Sequence, residues 1–264
     1  MDLKLSGKVA LIAAASDGLG LATAKQLLKE GAKIAICGRE QTRLQEAEET
    51  LSKLKNKEHV LALQCDVTDA KQIQQFIQAT IDQFQQLDIV ITNAGGPPAG
   101  TFATTNTEDY EKAFQLTLMS TVHLITQALP YLKKSDAASI LTITSYLVKQ
   151  PQSNLLLSNI IRPAVIGLTK SLSQELGNDN IRVNSILPGW TQTQRTVYLL
   201  EKQAAANGVD YATAEKLLTE NIPLKRMATV EEFANVATFL VSSAASYITG
   251  TMLQVDGGLM KGLF

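Results

Sequence analysis

Cysteine is scarce in this chain: two in 264 residues, Cys37 and Cys65. That is too few for a disulfide framework. It fits a reducing compartment, and a cytoplasmic location is expected. A basic excess is missing as well. Lys and Arg number 24 against 25 Asp and Glu, a net charge of −1. With nothing to follow a phosphate backbone, no nucleic-acid partner is expected. No run approaches the roughly 18 apolar residues of a membrane span, so no membrane partner is expected either. The first apolar run, Val9 to Ala15, is short, and Ser16-Asp17-Gly18 follows it where a small-residue cleavage site would lie. It reads as a buried strand rather than a secretion signal. Only two histidines occur, and no His, Cys, Asp and Glu cluster has metal-ligand spacing, so no metal is expected. What is present is ordinary globular material, 45% hydrophobic and 19% charged, which excludes wholesale disorder.

Strand-like and helical stretches alternate. Lys8–Ala14, Lys33–Cys37, Val60–Cys65, Leu87–Asn93, Ser139–Thr144, Ile181–Leu187 and Met252–Val255 read as short apolar strands. Between them Leu19–Glu30, Arg39–Lys55, Asp69–Gln85, Thr107–Leu132, Leu155–Leu176 and Thr229–Ser242 read as helices. Gly31 is a plausible residue just past the first helix, and Pro163 is expected to interrupt the fifth. This alternation predicts an α/β fold with a parallel sheet and helices on both faces. No linker, repeat or low-complexity tract divides it, so residues 1–264 are expected to form one domain. The polar stretch 194–220 is the least tied to the sheet and is expected to form short helices that flap over a site.

The first strand runs into Ala13-Ala14-Ala15-Ser16-Asp17-Gly18-Leu19-Gly20 and then a helix. Such a turn brings backbone N–H groups and a helix N-terminus to a phosphate, and glycines allow close approach. Alone it is equally an ordinary tight turn. It is followed in order by Asp66-Val67, Asn93-Ala94-Gly95, Pro188-Gly189 with Thr193, and Asp256-Gly257-Gly258. Along nearly the whole chain this series resembles the short-chain dehydrogenase/reductase family, in particular its 3-oxoacyl-acyl-carrier-protein reductase-like members. The resemblance implies one doubly wound Rossmann-type sheet of about seven parallel strands. It also implies a homotetramer acting on a small-molecule carbonyl/alcohol pair with NADP(H) as cofactor. It assigns Ala14, Ser16, Asp17, Gly18 and Leu19 to the phosphate turn, although Ala13 and Ala14 stand where the family has Thr and its first Gly. It gives Asp66 the adenine amino group, with Val67 beside it. Asn93, Ala94 and Gly95 are to pack by the adenine ribose, and Pro188, Gly189 and Thr193 are to border the nicotinamide.

Cofactor choice follows from charge. An NAD site wants a carboxylate after the second strand for the ribose 2′-hydroxyl. The chain has Gly38 there and Arg39 next, which suits a 2′-phosphate. Asp17, at a position that is basic in many NADP-binding relatives, points the other way.

The catalytic positions depart from the family. The usual chemistry uses Asn, Ser, Tyr and Lys, with Tyr giving the proton and Lys lowering its pKa and holding the ribose. Ser145 matches the family Ser. The positions of Tyr and Lys hold Ser158 and Arg162, and that of Asn holds Thr117. A serine hydroxyl is a far weaker acid than a phenol, and arginine stays protonated. The candidate catalytic set is therefore Ser145, Ser158 and Arg162, with Arg162 also toward the cofactor ribose. Three readings stay open: a reductase with an atypical site, an NADP(H)-binding sensor or partner subunit without turnover, and an enzyme using these residues on an anionic substrate. Tyr146, taken as part of an extended segment, is expected to face away from Ser145. His123, about 120° around its helix from Thr117, is expected to be a packed or interface residue, and His59 an exposed one. Trp190 is placed to roof the nicotinamide or to pack beneath the flap. Asn93 to Gly100, with Pro97 and Pro98, is expected to be a stiff rim.

Overall fold

The computed structural model describes residues 1–263. Seven parallel strands form one sheet: β1 Val9–Ile12, β2 Lys33–Gly38, β3 Val60–Gln64, β4 Ile89–Thr92, β5 Ser139–Ile143, β6 Arg182–Pro188 and β7 Met252–Val255. Their order is β3-β2-β1-β4-β5-β6-β7. The chain winds outward from β1 to β3, then returns to the centre and winds the other way. Between β1 and β4 the crossovers therefore diverge, which opens a crevice at the carboxyl ends of the strands.

Alternation along the strands divides the core. Ala10 and Ile12 of β1, with Ile34 and Ile36 of β2, pack on the side of α1 (Gly18–Lys29), α2 (Gln41–Ser52) and α9 (Val230–Val241). Val9 and Leu11, with Ala35 and Cys37, pack toward α3 (Ala70–Phe84), α5 (Ser120–Leu132) and the end of α6 (Leu156–Glu175). Both faces of the central strands are buried, so their sequences are continuously apolar.

The helix ends follow local chemistry. Asp17 caps α1 and Asp69 caps α3 by accepting backbone N–H groups. Gly31 follows α1 with φ +89°, in the left-handed region suited to a residue just past a helix. The long helix expected over 107–132 is broken into α4 (Thr107–Phe114) and α5 by a π-helical turn at Gln115–Met119. Pro163 does not interrupt α6, contrary to expectation. Its ring lies on the exposed face, where solvent can satisfy the carbonyl it leaves unpaired, while Leu157, Ile161, Val165 and Thr169 bury the opposite stripe. The polar stretch after β6 forms α7 (Gln194–Asn207) and α8 (Tyr211–Thr219), which share a small apolar cluster of their own with Trp190 against it.

Candidate active site

A cleft of about 440 Å³ opens at the carboxyl ends of β1, β2, β4, β5 and β6. One end is the turn between β1 and α1. Ala14 has φ +46°, and its carbonyl accepts from Asn93 Nδ2 at 3.0 Å. This locks the turn to the end of β4. Gly20 is required: a Cβ there would lie 2.8 Å from the Cα of Ala15 and 2.9 Å from the carbonyl oxygen of Ala14. The N-terminus of α1 thereby faces the cleft with its partial positive charge. Gly95 has open space where a Cβ would stand, as a wall that a ligand lies against requires.

Ala14 is an L residue in a conformation that normally costs about 1–2 kcal/mol. Ala14→Gly should relieve it, offset in part by the greater freedom of glycine in the unfolded chain. The expected result is a melting temperature higher by about 2–4 °C, the usual response of a domain this size to about 1 kcal/mol. A lower melting temperature would show the turn unstrained.

Beyond the turn, Gly38 lies beneath Ser16. A Cβ at Gly38 would stand 2.8 Å from Ser16 Oγ and 3.0 Å from Ser16 Cβ. The carboxylate an NAD site would carry is thus excluded by packing as well as by sequence. Arg39 and Arg43 line the cleft beside Gly38. Arg43 is paired with Glu40 at 3.0 Å, whereas no ion pair involves Arg39 among the described residues. The cradle therefore fits an adenine dinucleotide carrying a 2′-phosphate, with Arg39 as the free guanidinium for that group.

Cys65 and Val67 line this end, but Asp66 between them does not. Its Oδ1 accepts from the Thr68 backbone and hydroxyl, both at 2.9 Å, which holds that oxygen in a local turn. Cys37 and Cys65 are buried and free and belong to the same apolar cluster. The interaction between the two thiols, with burial, raises the pKa of Cys37, and the same interaction lowers that of Cys65.

The other end is built from β5, α6 and the segment after β6. Ser145 lies two residues past the end of β5, and its Oγ accepts the Leu147 backbone N–H at 3.3 Å. Ser158 and Arg162, four residues apart, share one face of α6 and turn toward the cleft. Arg162 Nη1 donates to the carbonyl oxygen of Thr144 at 2.6 Å, which fixes the guanidinium beside Ser145. Burial, and then the neighbouring charge of Arg195, press the Arg162 pKa down to about 10, so it stays charged near neutrality. Pro188, Gly189 and Thr193 form the facing wall. Gly189 packs on the Asp256-Gly257-Gly258 turn: a Cβ would stand 2.7 Å from the Asp256 Cα.

The extended backbone expected at Tyr146 is not what the structure has, and Tyr146 lines the cleft. Ser145 caps a 3₁₀ turn, Tyr146–Val148, and the turn leaves the Tyr146 ring on the cleft wall. Its phenol donates to Gln152 Oε1, and burial raises its pKa, which unfits it as an acid. Thr117 lies in the π turn, does not line the cleft, and has a buried hydroxyl without a partner. His123 is half-buried on α5 away from the cleft. His59 is half-buried rather than exposed, in a 3₁₀ turn at the opposite end of the sheet, with Nδ1 unpartnered. Trp190 packs against the apolar cluster of α7 and α8 and also lines the cleft.

Two arginines of the cleft escape a reading by motif. Arg43 is signalled only by its spacing of four residues from Arg39. Arg195, two residues past Thr193, had no signal beyond position. Its Nη2 donates to the carbonyl oxygen of Pro97 at 2.7 Å and ties α7 to the 93–100 rim.

These features have counterparts in known proteins. Residues 13–260 match the family model described as enoyl-(acyl carrier protein) reductase. The chain is a short-chain dehydrogenase/reductase. The NADPH-dependent reductase BacG of Bacillus subtilis is 30% identical over 98% of this chain and 100% of its own. The L-sorbose reductase of Gluconobacter frateurii, solved with NADPH and L-sorbose, superposes with a TM-score of 0.93 at 32% identity over 100% of both chains. A short-chain oxidoreductase of Pseudomonas aeruginosa, solved with NADPH bound and described as containing an atypical catalytic center, gives 0.89 at 32% identity over 97% of each chain.

Proposed function

We propose that this protein is an NADP(H)-dependent reductase of a small carbonyl compound, 3-oxoacyl reductase-like in fold, with an atypical site of Ser145, Ser158 and Arg162. The observation that carries the reading is the Arg162 guanidinium bolted to Thr144 beside Ser145, in the same cleft as a cradle suited to a 2′-phosphorylated dinucleotide. When bound, NADPH supplies the hydride that turns a carbonyl into an alcohol. The chain supplies position and charge. Ser16 to Leu19 and the N-terminus of α1 hold the pyrophosphate, Arg39 holds the 2′-phosphate, and Asn93 to Gly95 flank the adenine ribose. Pro188, Gly189 and Thr193 border the nicotinamide. Ser145 and Ser158 donate hydrogen bonds to the substrate oxygen. Arg162 places a fixed positive charge where the alkoxide develops. The Tyr146 phenol on the cleft wall is engaged with Gln152 and made a weaker acid by burial, so water entering the cleft supplies the proton. Without a general acid the rate is lower by about 10²–10⁴ than a site with one.

Helices α7 and α8 act as the cover of this site within a single domain, and the assembly is a homotetramer. Phe114 and Ile160, exposed on the packed pair α4 and α6, are apolar surface for a partner copy. Light scattering should give four chains, and a monomer mass would overturn the assembly.

Function is tested by following NADPH oxidation with oxoacyl thioesters, diketones and oxo acids, and identifying the alcohol by mass spectrometry. Stoichiometric alcohol is expected. Tight NADPH binding with no product from any of them would leave a binding or sensing role instead.

A further inference from the structure

The charge balance of the cleft is one-sided. Its walls carry four arginines, Arg39, Arg43, Arg162 and Arg195, and a single carboxylate, Asp17. Asp17 lies at the phosphate turn and is engaged in capping α1 through Gly18 N at 2.6 Å. Arg39 and Arg43 face the adenine end. That leaves Arg162 and Arg195 at the substrate end with no carboxylate near them. Neither makes an ion pair among the described residues. Each spends one N–H on a backbone carbonyl, Arg162 on Thr144 and Arg195 on Pro97, out of the five a guanidinium offers. Both line the same cleft, where the charge of one bears on the other. Two like charges in one part-buried cleft repel, and nothing in the chain neutralises them. An anion bridging them would.

Building on the reductase reading, we propose that Arg162 and Arg195 form an anion clamp, and that the substrate is an oxo acid whose carboxylate enters it. Position selects the anion. Arg162 is fixed one peptide from Ser145, so the anionic group must lie close to the carbonyl that Ser145 holds, as in a short 2- or 3-oxo acid. Two planar forks match the two oxygens of a carboxylate. Arg195 comes from the mouth rather than the floor. It crosses from α7 to the rim, its guanidinium 3.2–3.3 Å from where a Gly96 Cβ would be and 5.6 Å from the Tyr198 ring. Engaging the substrate from α7 gives the cover a reason to close over it.

The other source of an anion is the cofactor pyrophosphate, and the experiment separates the two. Acetoacetate and 2-oxobutyrate are compared with their primary amides, which keep the skeleton and lose the charge. Binding is read independently of turnover, by calorimetric titration of 3-hydroxybutyrate and its amide into the NADPH complex, where neither alcohol can be oxidised. The acids should be preferred at least tenfold, in kcat/KM and in affinity. Arg195→Gln should reduce that preference to within about threefold, Arg195→Lys should keep part of it, and NADPH affinity, followed by fluorescence, should change little. Equal handling or no binding of acid and amide by the natural protein would overturn the clamp. So would an Arg195→Gln variant that weakens NADPH more than tenfold and leaves the acid preference unchanged, which would assign Arg195 to the pyrophosphate. Binding preference without product would keep the clamp and reject the reductase reading.

Discussion

Arg162→Met is expected to lower kcat/KM for carbonyl reduction by about 10²–10³, the usual loss when a charge-stabilising donor is removed from a reaction centre. The protein should lose no stability with it. Arg162 is a cation desolvated at the floor of the cleft and repelled by Arg195, with no carboxylate partner. Replacing a buried, unbalanced charge with an apolar side chain of similar length is neutral or stabilising. Activity lost at an unchanged or higher melting temperature is thus the signature of a residue kept for chemistry. A fall of several degrees together with activity would instead make Arg162 a structural tie to Thr144. The pH profile adds a second check. Desolvation, then Arg195, lower the guanidinium pKa from 12.5 to about 10, so the charged form is complete well below that pH and is lost through it. The rate should therefore be flat across neutral pH and fall above about 10. The stability contribution has the opposite sense: the charged form is disfavoured by folding, and this penalty is relieved as pH rises through the same value.

Arg39→Ala is expected to weaken NADPH by about 10–100-fold, the worth of about 1.5–3 kcal/mol for a charge-assisted hydrogen bond, and NADH by less than about threefold. The matching change at Arg43 should do less, because Glu40 already holds its Nε at 3.0 Å. Gly38→Asp should not convert the protein to NADH use, since the new Cβ would stand 2.8 Å from Ser16 Oγ. It should weaken both cofactors. Fluorescence titration of the three variants checks all of this. Equal loss of both cofactors in Arg39→Ala would remove the 2′-phosphate from the account.

The strands and most helices were legible because a parallel sheet buried on both faces writes its strands as short apolar runs, and seven were found within a residue or two at most ends. Errors arose where side chains far away in sequence decide. Pro163 was read as a break because the sequence does not say which face of α6 meets solvent. The π turn at Gln115–Met119 has no signature in the pattern of apolar residues. The strand alternation applied to Tyr146 needs an extended backbone past Ser145, and the backbone there is instead a 3₁₀ turn capped by the Ser145 side chain. The site was legible as a chain-order series of small residues: Gly18, Leu19, Val67, Asn93 to Gly95, Pro188, Gly189 and Thr193 all line one cleft, whereas Asp66 does not, and Gly20 and the Asp256-Gly257-Gly258 turn support it from behind. The role of Gly38 became physical only once Ser16 was seen above it. Arg195 lay beyond reach, since its place depends on how α7 folds back over the 93–100 rim.

The central claim, that Ser158 and Arg162 make a working reductase without a phenol, is tested most directly by one comparison. NADPH oxidation and alcohol formation are measured for the natural protein beside a variant carrying Thr117→Asn, Ser158→Tyr and Arg162→Lys, on the same carbonyl panel. The account predicts turnover by the natural protein, with a rate insensitive to pH from about 6 to 9. Turnover by the substituted protein alone would contradict it, and would show a scaffold that binds NADPH but whose own residues no longer carry out reduction.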